Sequence, residues 1–295
     1  MTESPSVDDE IAIAWREHRP YLVNLAYQML RDVGDAEDVA QEAFLRLSRV
    51  RLAEIDDVRG WLTVVAGRLC LDQLKSARVR LETKMAPDPE AGVLAVATDD
   101  DPADRVTLDD EVNSALLTVL RQLSPGERVA FVLHDVFAVP FDEIAETVGR
   151  PVGTCRQLAR RARAKFTTAA PGAVNARVAA VARGEHRRVT EAFITACSNG
   201  DLQGLTALLD PTVWGVGTVL ADPAPPPRVN HGPDDVAVNL LRHLGSRATV
   251  VSGPPDAPVL LAFDRGRLFA VITLTIRDGL VVKIEATADP AARRP

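Results

Sequence analysis

The segment that most restricts what this chain can fold into runs from Phe141 to Phe166. Phe141, Ile144, Ala145 and Val148 recur at helical spacing on one face, Gly149 suits a left-handed turn, and Pro151 opens a second helix where proline is tolerated. Ala145-x3-Gly149-x5-Cys155 puts a small residue where two helices cross, a glycine in the turn, and a small apolar residue facing back. This is the pattern of a helix-turn-helix. Around the second helix, Cys155, Leu158, Ala159, Ala162 and Phe166 share one face, while Arg156, Gln157, Arg160, Arg161, Arg163 and Lys165 spread over the other. An apolar back with a basic front suits a helix laid in a major groove, where arginine reads guanine edges or clamps phosphates. A solvated basic face is the other reading of the same run.

Charge has to be read locally. The 295 residues carry 34 Lys plus Arg against 41 Asp plus Glu, a net charge of −7 that by itself argues against a nucleic-acid partner. Residues 82–111 alone hold ten acids and two bases, and without them the chain is nearly neutral. Residues 150–165 hold six bases and no acid, and residues 59–80 hold five bases and one acid. Two basic segments are thus separated by an acidic one.

The chain divides into three modules. Residues 8–81 are helical by their apolar periodicity, and 82–104 have the proline- and aspartate-rich composition of a flexible linker. Residues 105–168 form a second helical block, and 169–184 connect it to a third module over 185–291. There the period changes after Asp210-Pro211, which is expected to end a short helix. Val259–Phe263, Leu268–Ile276 and Leu280–Glu285 are strand-like, with hairpin signals at Asp264-Arg265-Gly266 and Asp278-Gly279. The expected fold class is multidomain, two all-α modules followed by an α+β module. Cys70, Cys155 and Cys197 are odd in number and widely spaced, which argues against a disulfide framework or a zinc site. No basic-then-apolar leader and no apolar run of about 20 residues is present, so a soluble cytoplasmic chain with no membrane partner is expected.

The first module carries Gly34-Asp35-Ala36-Glu37-Asp38-Val39-Ala40-Gln41-Glu42-Ala43-Phe44-Leu45, an acidic amphipathic helix with Asp35, Glu37 and Asp38 at its positive end. Val58-Arg59-Gly60-Trp61-Leu62 follows, and then a basic helix bearing Arg68, Asp72 and Lys75. Trp61 reads either as core or as a platform beside splayed single-strand bases.

Together, the Asp-Ala-Glu-Asp-x-x-Gln-Glu-x-Phe segment, the Arg-Gly-Trp-Leu that follows it and the basic helix-turn-helix resemble an extracytoplasmic-function (ECF) sigma factor of bacterial RNA polymerase. Residues 8–81 correspond to region 2 and 105–168 to region 4. The third module is similar to the SnoaL-like domains of the nuclear-transport-factor-2 superfamily, which form an α+β cone. That resemblance rests on Phe193-Ile194-Thr195-Ala196-Cys197-Ser198-Asn199-Gly200-Asp201-Leu202 and on Leu208-Leu209-Asp210-Pro211 before the terminal strands.

The resemblance implies a subunit that binds core RNA polymerase and promoter DNA, without a cofactor or metal. It implies that Asp35, Glu37, Asp38, Gln41, Glu42 and Phe44 lie on the helix that docks on polymerase, with Phe44 supplying an apolar contact. It implies that the loop from about Val50 to Arg59, with Arg59, Trp61, Arg68, Asp72 and Lys75, meets the minus-10 element. Thr154, Arg156, Gln157, Arg160 and Arg161 match positions that enter the minus-35 major groove; Arg163 and Lys165, further along the same basic side, are expected to touch mainly phosphate. Relatives with this third module often carry Trp-Leu-Pro-Glu-Pro in the linker and end with Asn-Pro-Asp-Lys; here Pro87-Asp88-Pro89-Glu90 and Asp289-Pro290-Ala291-Ala292 stand nearest.

The third module is expected to regulate in cis, with a small apolar ligand in the cone as a possible modulator, Trp214 a wall residue, and an anti-sigma partner left open. An enzyme there would draw on His231, Asp234, Asp235, His243 or Asp264, but the module has no tyrosine to serve as acid or oxyanion donor. The alternative function is a ligand-responsive helix-turn-helix regulator that acts without polymerase. Residues 31–80 separate the two, because a plain repressor needs neither an acidic docking helix nor a basic, tryptophan-bearing one.

Overall fold

In the computed structural model, residues 7–85, 122–169, 178–221, 225–245, 247–253 and 258–293 are described. Pro87-Asp88-Pro89-Glu90, the rest of the linker beyond 85 and residues 105–121 of the second block lie outside them, as do residues 170–177 of the connection at 169–184.

The first helical module contains α1 (Val7–Leu30), α2 (Val33–Leu47) and α3 (Val58–Met85), with a 3-10 turn at Leu52–Glu54 in the loop before α3. Asp32 caps α2 by accepting a hydrogen bond from the Asp35 amide at 2.9 Å, which satisfies one of the orphan donors of a helix start. Pro20 sits inside α1 and has no N–H to give the Arg16 carbonyl one turn back. The Asn199 side chain, from the third module, donates to that carbonyl instead at 3.1 Å.

The second block contains α4 (Pro125–Phe131), a wider π-type turn at Val132–Val136, α5 (Phe141–Val148) and α6 (Val152–Ala169). Ser124 and Glu127 close a reciprocal capping box at the start of α4. Gly149 ends α5 with φ of 67°, the left-handed conformation that a side chain disfavours, so the helix-turn-helix forms where its spacing places it.

The first helix of the third module, α7 (Val178–Asn199), starts within the stretch read as a connection, and α8 (Leu202–Ala207) follows. Asp210-Pro211 does not end a helix: it lies in β1 (Leu209–Val219), where the proline needs no ladder donor of its own. β2 (Arg228–His231), α9 (Pro233–Leu244), β3 (Thr249–Ser252), β4 (Val259–Asp264), β5 (Arg267–Arg277) and β6 (Leu280–Ala288) complete it. The sheet order is β2-β1-β6-β5-β4-β3; β1 and β6 run parallel and every other pair antiparallel. Both anticipated hairpins form, with positive φ at Arg265 and Gly266 and at Asp278 and Gly279, as two-residue turns matched to strand twist require.

The strands of this sheet have two apolar faces, and each packs on something different. Val250, Leu260, Ala262, Phe269, Ala270 and Ile272 join the module's own core with α7, α8 and α9. Val251, Leu261, Phe263 and Leu268 point the other way and join one continuous core with Leu25, Tyr27, Leu62, Leu133 and Ile144 of the two helical modules. Period-2 alternation, shifted by one residue at Phe269 where β5 bulges against β4, thus supplies an inner wall and a docking face from the same three strands.

Candidate nucleic-acid and protein interface

On α6 the back of the helix is sealed: Cys155, Ala159 and Ala162 are fully buried, and Thr154 and Leu158 half-buried. Arg156, Gln157, Arg160 and Arg161 are exposed, and Arg156 lies over the Phe141 ring at 5.7 Å. Arg163 and Lys165 differ from expectation, because acids reach them from outside the helix. Arg163 Nε is 2.7 Å from Asp135 Oδ1, and Lys165 Nζ is 2.7 Å from Glu127 Oε2 and 3.0 Å from the Gln122 carbonyl. Burial of Glu127 pushes its carboxyl pKa up, but the hydrogen bonds from Lys165 and Ser124 outweigh it and hold the group below the usual carboxylate range.

Along α3, Trp61, Arg68, Asp72 and Lys75 recur at i, i+7, i+11 and i+14 and so lie along one side. Trp61 is half-buried against the shared core, Asp72 and Lys75 form an exposed pair at 3.6 Å, and Arg68 donates to the Glu146 carbonyl of α5 at 3.0 Å. Arg59 is engaged on both sides: its guanidinium lies 4.0 Å over the Tyr21 ring, and it pairs with Glu191 of α7 at 3.1 Å. The α3 and α5 backbones approach closely at Gly67, where an added Cβ would stand 2.5 Å from Thr147 Cγ2.

On α2, Asp35, Asp38 and Gln41 are exposed, Glu42 is half-buried and pairs with Arg46 at 2.9 Å, and burial together with Asp32 and Asp38 raises the Asp35 pKa. Phe44 corrects the sequence reading. It is 4% exposed and meets Trp15 edge-on at 4.8 Å, so it belongs to the core and offers no surface. It sits about 120° around the helix from Asp38, whereas Leu45 shares the Asp38 and Gln41 side and is 48% exposed. The helical wheel carried that signal, and the larger side chain obscured it. Glu37 pairs with Arg19 at 3.2 Å and accepts a hydrogen bond from the Thr249 hydroxyl of β3.

The third module is locked to α1 by a buried polar cluster. Asn24 Oδ1 accepts from the Ser252 amide and hydroxyl, both at 2.8 Å. Gln28 Nε2 lies 2.6 Å from the Ser252 carbonyl and 3.1 Å from that of Gly253, while its Oε1 accepts from Arg31 at 2.7 Å. Arg31 is itself enclosed, and burial lowers its pKa to about 10.

Sequence comparison supplies the family. The family described as Sigma-70 region 2 matches residues 14–80, and that described as Sigma-70, region 4 matches 113–166. The chain is 46% identical over 302 residues to the Mycobacterium tuberculosis protein named "Probable ECF RNA polymerase sigma factor SigI", covering 98% of this chain and 97% of that one. It belongs to the ECF sigma factors. A second relative in that species, ECF RNA polymerase sigma factor SigJ, is 35% identical over 288 residues, covering 92% of this chain and 89% of that protein. The crystal structure of SigJ aligns over 95% of this chain and 97% of its own at 31% identity, with a TM-score of 0.37. An NTF-2 like protein from Burkholderia xenovorans aligns with 36% of this chain and 84% of its own at 16% identity and a TM-score of 0.27.

As an ECF sigma factor the protein binds core RNA polymerase and directs transcription initiation at promoters, which answers the alternative of a regulator acting without polymerase. No helix among the described residues is long and apolar enough to cross a membrane. In the third module, His231, Asp234, Asp235 and His243 are exposed on β2 and α9, and Asp264 pairs with Arg293. Trp214 is not a wall of the cone: it is 37% exposed on the opposite side of β1 from Gly215, with Lys283 Nζ 4.7 Å from its ring.

Proposed function

We propose that this sigma factor rests in a closed form that its third module holds, and that it opens to engage polymerase and promoter. The observation that carries the reading is the direct contact of regions 2 and 4 through Gly67, Thr147 and Arg68. Promoter elements at minus 35 and minus 10 are roughly 25 base pairs apart, about 85 Å along B-DNA, so modules in contact cannot reach both. In the closed form Arg59 holds Glu191 where a phosphate would otherwise sit, and Glu37 is turned to Thr249.

The residue roles belong to the same proposal. Thr154, Arg156, Gln157, Arg160 and Arg161 enter the upstream major groove, and Arg163 and Lys165 reach phosphate after release from Asp135 and Glu127. Arg59, Trp61, Arg68, Asp72 and Lys75 serve the downstream element. Asp35, Glu37, Asp38, Gln41 and Glu42 face polymerase, with Leu45 taking the apolar role expected of Phe44. The boundaries at 82–104 and 169–184 mark the joints, and the third module acts by binding, without catalysis, in the cytoplasm where its polymerase is.

Gly67→Ala tests the closed form. The added methyl meets the buried Thr147 and wedges the modules apart, while alanine strengthens α3 itself. Small-angle scattering should show a larger radius of gyration for the full chain, with run-off transcription retained. An unchanged radius would remove the support for opening.

A further inference from the structure

The third module encloses a cavity of about 420 Å³ between α9 and the inner face of the sheet. Its size falls in the range of small-molecule sites, whose walls are mostly apolar with a few placed polar groups. The space exists because the strands facing it carry little side chain: Gly215 and Gly217 on β1, Ala270 on β5, and Ala286 and Ala288 on β6. A Cβ at Gly217 would meet nothing within 4 Å, so this position opens onto empty volume. Leu240 and Leu244 of α9 with Phe269, Ile272 and Ile284 supply the apolar walls.

The polar groups are few and differ in availability. Arg293 is consumed by the fold: it donates to the carbonyls of His243 and Leu244, pairs with Asp264 at 3.4 Å and stacks 4.0 Å over Phe269. Asp289 accepts from the Ala291 amide. Asn230, Asn239 and His243 remain at the rim, His243 with Nδ1 beside the Asn239 carbonyl at 2.8 Å and its second ring nitrogen on the other side. Arg228, also lining the cavity, is exposed.

We propose that this cavity binds a small, predominantly apolar molecule with one hydrogen-bonding or anionic end at the Asn230, Asn239, His243 and Arg228 rim, and that its occupancy is felt at region 2. The second half follows from the wall. Phe269, Ala270 and Ile272 border the cavity, while Leu268 on the same strand and Leu261 and Phe263 on its neighbour pack into the region 2 core, with Phe263 5.5 Å from the Tyr27 ring. One layer of strands separates the ligand from α1. Close-packed layers transmit displacement because they contain no slack.

The proposal rests on the reading of the third module as regulatory, but its test uses the full chain without polymerase or DNA, so the two fail separately. The probe is 1-anilinonaphthalene-8-sulfonate, an apolar body with one anionic end. Saturable fluorescence enhancement is expected, and Gly217→Phe, built out from a position where a Cβ meets nothing within 4 Å, should abolish it while circular dichroism and melting temperature stay at or above the parent values. At 100 times its dissociation constant the probe should slow hydrogen exchange in residues 249–253 and 259–272 by up to about 100-fold, and residues 20–31 of α1 should slow with them. No saturable binding, or binding that survives Gly217→Phe, overturns the site. Saturable binding that leaves exchange at 20–31 unchanged overturns the coupling to region 2.

Discussion

Replacing Asn24 by alanine should loosen the third module from region 2 by a calculable amount. Asn24 is 3% exposed, and its Oδ1 is the acceptor for both the amide and the hydroxyl of Ser252. The hydroxyl can rotate toward another acceptor, but the amide cannot, so in the closed form one buried donor loses its partner. Such a group costs about 1–3 kcal/mol, and the penalty vanishes on opening because water then satisfies it. The closed-to-open ratio should therefore fall roughly 5- to 150-fold. Region 2 itself should not suffer, since alanine is a better residue than asparagine within α1. Two readouts follow. Hydrogen exchange at Ser252 and Gly253 should accelerate, and if only the open form binds core polymerase, the apparent dissociation constant should drop by up to the same factor. Ser252→Ala, made alone and with Asn24→Ala, closes a double-mutant cycle that assigns the effect to this contact. Unchanged exchange together with unchanged core affinity would refute the reasoning.

Arg160→Ala should cost about 1–3 kcal/mol of promoter affinity and relax sequence preference at one position, whereas Arg163→Ala should weaken all sequences alike and lower the salt slope by about 1; binding isotherms across a salt series distinguish them. Asp38→Lys with Leu45→Ala should abolish co-purification with core polymerase while the fold is retained, but Phe44→Ala should lower stability by about 3–5 kcal/mol because it empties core volume beside Trp15. Denaturant melts should show the second loss and not the first. Glu127 has a folded pKa below its unfolded value, so its contribution is complete above about pH 4.5 and is lost as pH falls through the folded pKa. Glu127→Gln should therefore be less stable than the parent above about pH 4.5, and denaturant melts over a pH series should show the two stabilities converging as pH falls through the folded pKa of Glu127.

The sequence by itself determined the local elements. Helix-turn-helix spacing around Gly149, the buried and basic sides of α6, the capped start of α2 and the two-residue turns at Arg265-Gly266 and Asp278-Gly279 all follow from interactions within a few residues. Periodicity records which side of an element is buried, and here it does so faithfully. It does not record what covers that side. Phe263 and Leu268 read simply as apolar strand residues, and only the folded chain sets them on region 2 while Phe269 and Ile272 turn to the cavity. The partners of Arg163 and Lys165 come from Asp135 and Glu127, 28 and 38 residues away, so a charge count along α6 could not find them. The same holds for β1 beside β6, for Asn199 on the carbonyl that Pro20 leaves unpaired, and for Arg59 on Glu191. Each is a pairing across long sequence separation, fixed by how whole modules pack, and no window of neighbouring residues contains it.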